Sequence, residues 1–217
     1  MLLPTKTFLS LPIEKRRAIF NAALEEFADN GYSVASTNKI CKIAGISKGS
    51  MFQYFENKED LFLFVVQKAL RDIIDMYRAE NIIYNDLMDL KQIFISSSMQ
   101  MIRFYEKLPK HYRLYLRINY EIDFPDLKKI RRYLNRHVTA VTQKFVQIGK
   151  MRGVLSRELR SDLVMFLINS MLFRLVELFF IPGVDPVLNI SSDPDERFTI
   201  LENVYDILVN GMGAKSV

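Results

Sequence analysis

The chain has 217 residues, 49% of them hydrophobic, which is enough to bury the core of one large domain or of a small domain joined to a larger one. A single cysteine excludes an internal disulfide, and one cysteine with only two histidines in the whole chain argues against a Cys/His zinc site. No P-loop or GxGxxG is present, so no cofactor is expected. The net charge of +5 is uneven: residues 1–60 hold eight Lys/Arg and seven Asp/Glu, whereas residues 103–160 hold fifteen and five, so charge alone does not place a nucleic-acid surface at the N-terminus.

The N-terminal segment "MLLPTKTFLSLPIEKRR" has no long apolar run and no small-residue cleavage site, so it does not resemble a signal peptide. An apolar stripe at three- and four-residue spacing predicts a first helix over residues 12–30, with Gly31 as a left-handed residue at its end. Ser36 or Thr37 can cap a second, short helix, which Gly45 ends.

The stretch "GISKGSMFQYFENKEDL" predicts the next two helices. Ser47 can cap a third helix from Lys48 to about Phe55, and Asn57 can cap a long fourth helix that runs toward Glu80. Two short helices joined by a tight turn that contains glycine are typical of a helix-turn-helix unit.

The rest of the chain also has helical patterning and no convincing strand alternation. The predicted fold is therefore all-α, with a three-helix helix-turn-helix domain at residues 12–60 and a larger helical domain at residues 61–217. Within the larger domain, helices are expected near residues 86–106, 110–121, 125–152, 161–181 and 194–212.

Gly45-Ile46-Ser47-Lys48-Gly49 also matches the G-x-S-x-G pattern of hydrolases, in which Ser47 would be the nucleophile. Such an elbow needs a strand before the serine. The preceding residues "TNKICKIA" have apolar positions at helical spacing, and an all-helical chain offers no sheet to hold the elbow. We therefore favour a helix cap for Ser47 and expect no enzymatic activity.

Several side chains of this region suit a DNA duplex. Lys48 and Lys58 begin consecutive helices, where free N–H groups, hydroxyls and ammonium groups can bind phosphate. Met51 and Phe55 are expected to pack on the core, which leaves Gln53 and Tyr54 on the outside. Glutamine can bond adenine, lysine can reach guanine, and Gly49 permits close approach to the duplex.

Residues 14–64 closely resemble the DNA-binding domain of the tetracycline-repressor (TetR) family. The matching residues are "IFNAALEEFADNGYSVASTNKICKIAGISKGSMFQYFENKEDLF". The resemblance covers about a quarter of the chain, and its motif is long and specific. One departure is Phe52, at a position where the family often has a tyrosine whose hydroxyl touches phosphate; this departure favours a packing role for Phe52.

The resemblance implies a cytoplasmic, homodimeric repressor that places two helices in successive major grooves of a palindromic operator and is released by a small molecule. An interaction protein that keeps the fold without binding DNA is the alternative. By position, the resemblance implies phosphate contacts for Ser36, Thr37, Ser50 and Lys58, and base contacts for Lys48, Gly49, Gln53 and Tyr54, beside the Ser47 cap.

Residues 161–181 are apolar on nearly all sides, but Asn169, Arg174 and Glu177 argue against a membrane span. Residues 163–181 and 198–212 fit the dimer interface that the resemblance implies, and a core within one chain is the alternative. A largely apolar effector would contact aromatic side chains, with arginines as polar anchors. The candidates are Phe104, Tyr105, Tyr112, Tyr115, Arg117, Phe145, Phe166, Phe173 and Arg174.

Overall fold

The computed structural model describes residues 4–79, 88–120, 127–181, 183–184 and 193–212. These parts of the chain contain ten helices and no strand, which confirms the all-α prediction. The helices are α1 (Lys6–Leu9), α2 (Ile13–Val34), α3 (Thr37–Ala44), α4 (Lys48–Tyr54), α5 (Lys58–Ala79), α6 (Leu90–Lys107), α7 (Pro109–Tyr120), α8 (Leu127–Met151), α9 (Ser161–Phe180) and α10 (Pro194–Met212).

Short-range hydrogen bonds begin and end the helices around the predicted turn. The Ser36 hydroxyl accepts the Lys39 N–H at the start of α3, and the Asn57 side chain accepts the Asp60 N–H at 2.9 Å at the start of α5. Gly45 ends α3 with a left-handed backbone at φ 66° and ψ 36°. The predicted caps are thus confirmed, and of the two candidates for α3 it is Ser36 that caps.

Gly31 interrupts the end of α2. Its φ of 69° is positive, as predicted, but its ψ of 176° lies outside the left-handed helical region. Essentially only glycine adopts this combination. The first helical run therefore ends at Gly31, as predicted, and a short helical segment follows it to Val34.

The described contacts divide the chain into two compact units. The first comprises residues 1–79 and 104–134, and the second residues 80–103 and 135–217. Residues 104–134 therefore group with the N-terminal helices, whereas the predicted functional division falls at residue 60. That division concerns which residues bind DNA, and it stays a prediction.

The first unit has one continuous core made by α1 to α5, α7 and the start of α8. Phe27, Phe62 and Ile40 are fully buried at its centre, and Leu114 and Ile118 of α7 belong to the same cluster. The short helix α1, which the sequence patterning did not predict, adds Phe8, whose ring lies 5.0 Å from those of Phe55 and Phe64.

Polar contacts also join α7 to α2 within the first unit. Lys110 Nζ lies 2.6 Å from Glu25 Oε2, and Arg113 Nη2 lies 3.1 Å from Asp29 Oδ1. Arg117 donates to the Ala28 and Asp29 carbonyls at 3.3 and 2.6 Å. Helix α7 is therefore held along the second half of α2.

In the second unit, aromatic side chains join α6 to α8 and α6 to α10. Phe94 contacts both Phe145 and Tyr205, with ring centroids 5.9 and 5.7 Å apart. Leu201 and Leu208 are buried as well. Much of the α10 stripe predicted for a dimer interface is therefore core within one chain, which was the alternative interpretation.

Candidate nucleic-acid interface

Helix α4 has one buried and one exposed face. Met51 and Tyr54 are buried, whereas Lys48, Gly49, Phe52 and Gln53 are exposed. Residues three or four apart lie on the same side of a helix, so the four exposed residues form one surface. We call these four residues the α4 outer face.

Two predicted orientations on α4 are wrong. Tyr54, expected outside, is only 5% exposed because Phe8 of α1 packs edge-on against its ring at 6.1 Å. Phe52, expected to be a packing anchor, is 48% exposed. The aromatic side chain on the exposed side of α4, beside Lys48 and Gln53, is therefore Phe52 and not Tyr54.

Ser47 is the cap of α4, as predicted. Its Oγ accepts the Ser50 N–H at 3.0 Å and lies 2.8 Å from the Ser50 Oγ. The residues before the turn form helix α3, so the strand that a nucleophile elbow needs is replaced by a helix. The geometry of the G-x-S-x-G segment is that of two helices and a turn.

A buried carboxylate fixes the start of α3. Glu26 of α2 is 3% exposed, and its Oε1 accepts the Ser36 N–H at 2.9 Å while its Oε2 lies 2.7 Å from Lys39 Nζ. Burial raises the pKa of Glu26, but the bonds from Lys39 and Ser36 outweigh it and hold that pKa below its usual value. Ser36 and Thr37 are thereby positioned half-buried at the α3 N-terminus.

Lys58 has partners within the first unit. Its Nζ donates to the Ser33 carbonyl at 3.2 Å and lies 5.0 Å from the centre of the Tyr32 ring. Burial lowers the pKa of Lys58. An ammonium group has three donors, so contacts with Ser33 leave further donors for a phosphate oxygen.

Helix α1 closes the C-terminal end of α4. The Thr5 hydroxyl donates to the Gln53 carbonyl at 2.8 Å, and the Thr5 N–H donates to the Tyr54 carbonyl at 3.1 Å. The last carbonyls of a helix lack donors within that helix, so Thr5 supplies the hydrogen-bond donors that the last carbonyls of α4 need. The sequence interpretation missed Thr5, although a threonine before "KTFL" is a usual helix-cap signal.

The predicted effector residues fall into both compact units. Five of them, from Phe104 to Arg117, belong to the first unit, and four, from Phe145 to Arg174, belong to the second. In the first unit, the Tyr105 and Tyr112 rings are tilted against each other, with centroids 3.9 Å apart.

Three of these residues are placed in ways that do not suit an enclosed pocket. Phe166 is 65% exposed, which contradicts a cavity-lining role within the chain. Arg117 donates hydrogen bonds to carbonyls of α2, so it holds α7 against α2 and is not placed to bind an effector. Arg174 donates to Glu177 and to the Val184 carbonyl.

Other functional classes gain little support. Among the residues that the structure describes, no group of three or more His, Cys, Asp or Glu side chains could hold a metal ion. Helix α9 is long and apolar enough to cross a membrane, but the core helices of soluble proteins meet the same criterion. Asn169 in its middle accepts a hydrogen bond from Thr142 at 2.6 Å, a contact expected of a helix packed in protein.

Comparison with known proteins points to one group. The family model for bacterial regulatory proteins of the tetR family matches residues 19–65. A protein of Escherichia coli K12, described as a probable acrEF/envCD operon repressor, is 22% identical over 206 residues, which cover 87% of this chain and 91% of that protein. The fatty acid metabolism regulator protein of Bacillus subtilis 168 is 36% identical over 61 residues, or 28% of this chain and 31% of that protein.

Solved structures extend the similarity to the whole chain. A TetR family transcriptional regulator from Chloroflexus aurantiacus J-10-FL matches with a TM-score of 0.79 at 26% identity, over 99% of this chain and 100% of that one. The Salmonella enterica GusR structure matches with a TM-score of 0.66 at 17% identity, over 93% and 98%. At 17% identity the second likeness concerns the fold alone.

Proposed function

Because the chain is a transcriptional regulator of the tetR family, we propose that it is a cytoplasmic homodimeric repressor that binds a palindromic operator and leaves it when a small molecule binds. Residues 12–60 would bind DNA, and residues 61–217 would bind the effector and form the dimer. The observation that carries the proposal is the α4 outer face, where Lys48, Gly49, Phe52 and Gln53 are exposed while Met51 anchors the helix.

The chemistry of the α4 outer face suits the edges of base pairs. Lys48 can donate to guanine O6 and N7, and Gln53 can bond adenine through two hydrogen bonds. Gly49 has no side chain to hold the helix away from the groove. Phe52 replaces Tyr54 in this proposal, since an exposed phenyl ring can contact a thymine methyl group.

Hydroxyl and ammonium groups around the helix starts suit the phosphate backbone. Thr37 and Ser50 lie half-buried in the first turns of α3 and α4, and the hydroxyls of the caps Ser36 and Ser47 can still donate outward. Lys58 can reach a phosphate while it holds the Ser33 carbonyl. Such contacts orient a protein on DNA without reading its sequence.

The exposed apolar face of α9 supports a dimer. Leu163, Phe166 and Leu167 lie on one side of α9 and are exposed within the single chain. Large apolar side chains at i, i+3 and i+4 form a continuous stripe, and contiguous exposed stripes of this kind mark protein interfaces. On α10, Ile207 is exposed on the side opposite the buried Leu208 stripe and is a further candidate.

The link between an effector and DNA would run through α7. This helix carries Tyr112 and Tyr115, which are candidate effector residues, and it is tied to α2 by Arg117 and Lys110. Since α2 also holds the start of α3 through Glu26, movement of α7 would reach the DNA-binding helices.

A mobility-shift assay with the promoter DNA of the protein's own gene tests the proposal. Lys58→Ala should weaken binding uniformly across sequences and reduce the dependence on salt, because one phosphate contact is lost. Gln53→Ala should instead alter the sequence preference. Lys128→Ala, an exposed lysine on α8, serves as the matched control and should bind as the unaltered protein does.

Two results would contradict the proposal. If no specific duplex is bound at moderate salt, the repressor function fails, and an interaction protein with the same fold becomes the better interpretation. If Gln53→Ala loses affinity equally for all operator variants, the side chain does not read bases.

A further inference from the structure

A groove of about 610 Å³ lies in the first unit among α1, the beginning of α2 and α5. Its volume is typical of small-molecule sites. The groove contains none of the residues assigned above to DNA or to an effector. Its apolar wall consists of Phe8, Leu9, Ile13, Phe20 and Phe64.

The apolar wall is incompletely covered. Leu9 and Ile13 are more than half exposed, although each is a large aliphatic side chain. Leu9 ends α1 and Ile13 begins α2, and both line the groove together with the buried Phe20. A hydrocarbon chain in the groove would remove this surface from water, which is favourable in proportion to the area covered.

The charged lining favours an anion. Four cationic side chains, Arg16, Arg17, Lys68 and Arg71, face two carboxylates, Asp72 and Asp75. Asp72 is already neutralised, because it forms an ion pair with Lys68 and its Oδ2 lies 3.3 Å from His111 Nε2. Arg17 lies 3.6 Å from a Glu14 carboxylate oxygen, and the remaining Arg16 and Arg71 outnumber Asp75, so the charge of the groove is positive.

Arg16 offers a specific donor. Its Nε is buried, and it has no hydrogen-bond partner among the residues that the structure describes. Buried donors in proteins are nearly always paired, so an Nε–H without an acceptor on the wall of a groove suits an acceptor from outside. A carboxylate matches the planar guanidinium with two parallel hydrogen bonds.

We propose that this groove binds an amphiphilic carboxylic acid. The carboxylate is held by Arg16, with Arg17 and Arg71 adding positive charge, and the hydrocarbon chain lies along Leu9 and Phe20. The site lies within the first unit and is separate from the effector residues proposed above.

The chain contains ten tyrosines but no tryptophan, so Leu9→Trp introduces a single tryptophan at the rim of the groove, which is excited selectively on the long-wavelength side of tyrosine absorption. Decanoate is the probe, used below its micelle concentration. We expect a saturable change in emission, whereas decanol and decyltrimethylammonium should bind at least about tenfold more weakly because they lack the charge that Arg16 recognises.

Matched variants separate the site from others on the chain. Arg16→Gln in the Leu9→Trp background should raise the Kd for decanoate about tenfold, whereas Arg132→Gln, on the exposed surface of α8, should leave it unchanged. Val34→Trp, an exposed position outside the groove, should give no response. Circular dichroism verifies that each variant is folded.

Three outcomes overturn the proposal: no emission change for Leu9→Trp, equal binding of decanoate and decyltrimethylammonium, or equal effects of Arg16→Gln and Arg132→Gln. None of these measurements involves DNA, so they stand or fall independently of the repressor function.

Discussion

Replacing Glu26 by glutamine should loosen the attachment of α3 to α2. The carboxylate is 3% exposed and accepts the Ser36 N–H at 2.9 Å, and its second oxygen lies 2.7 Å from Lys39 Nζ. Glutamine can keep the bond to Ser36, but it presents an NH₂ group to the lysine ammonium. The variant therefore loses one charged contact and gains an unfavourable pair of donors.

The size of the effect follows from the surroundings of the two groups. A hydrogen bond to a charged group contributes about 1.5–3 kcal/mol. The Lys39 side chain is 56% exposed, so in the variant its ammonium group can be hydrated. The lost stability therefore lies at the lower end of this range. We expect the free energy of unfolding to fall by about 1.5–2 kcal/mol at pH 7.

The loss should depend on pH. Burial raises the pKa of Glu26, and the bonds from Lys39 and Ser36 lower it further than burial raises it, so the folded pKa lies below the unfolded value of about 4.3. A depressed carboxylate pKa stabilises the fold fully above the unfolded pKa, and this stabilisation is lost as the pH falls through the folded pKa. The difference between the two proteins should therefore shrink below about pH 4.

Urea denaturation followed by far-UV circular dichroism between pH 7 and pH 3.5 measures both effects. Glu25→Gln is the matched control: the neighbouring carboxylate is about half exposed and pairs with Lys110 at the surface, so its loss should matter much less. Equal stability of Glu26→Gln and the unaltered protein at pH 7, or a difference that stays constant on acidification, would contradict the role given to the Glu26 carboxylate.

Three further variants test separate parts of the structure. Gly49→Ala should keep or raise the free energy of unfolding by about 0.5–1 kcal/mol, since the added Cβ meets only Ser47 Oγ at 3.8 Å; DNA affinity should fall in a mobility-shift assay, and unchanged affinity would mean that the groove is not approached there. Thr5→Val removes the donor to the Gln53 carbonyl and should lower the free energy of unfolding by about 1 kcal/mol in urea, and Thr5→Ser should restore it; an equal loss in both would show that the hydroxyl is not the cause. Phe166→Glu should convert a dimer to a monomer in analytical ultracentrifugation with unchanged helix content, and a persistent dimer would exclude the α9 face as the interface.

The sequence determined the local features of the DNA-binding head. The caps Ser36, Ser47 and Asn57 and the left-handed Gly45 all followed from residue type and spacing. Each of these features depends on hydrogen bonds or backbone angles within three or four residues, and such interactions are readable from a short stretch of chain. The family resemblance rests on the same stretch, and the match over residues 19–65 agrees with it.

Contacts between distant segments fix which side chains face outward. Tyr54 is buried because Phe8 of α1, far away along the chain, packs on its ring. Phe52 lies on the opposite, exposed face of α4. Likewise, Leu201, Tyr205 and Leu208 of α10 are buried within one chain, where Phe94 packs on Tyr205. Helical periodicity shows that a helix has an apolar face to bury. The segment that covers this face is set by contacts between distant parts of the chain, which no local pattern specifies.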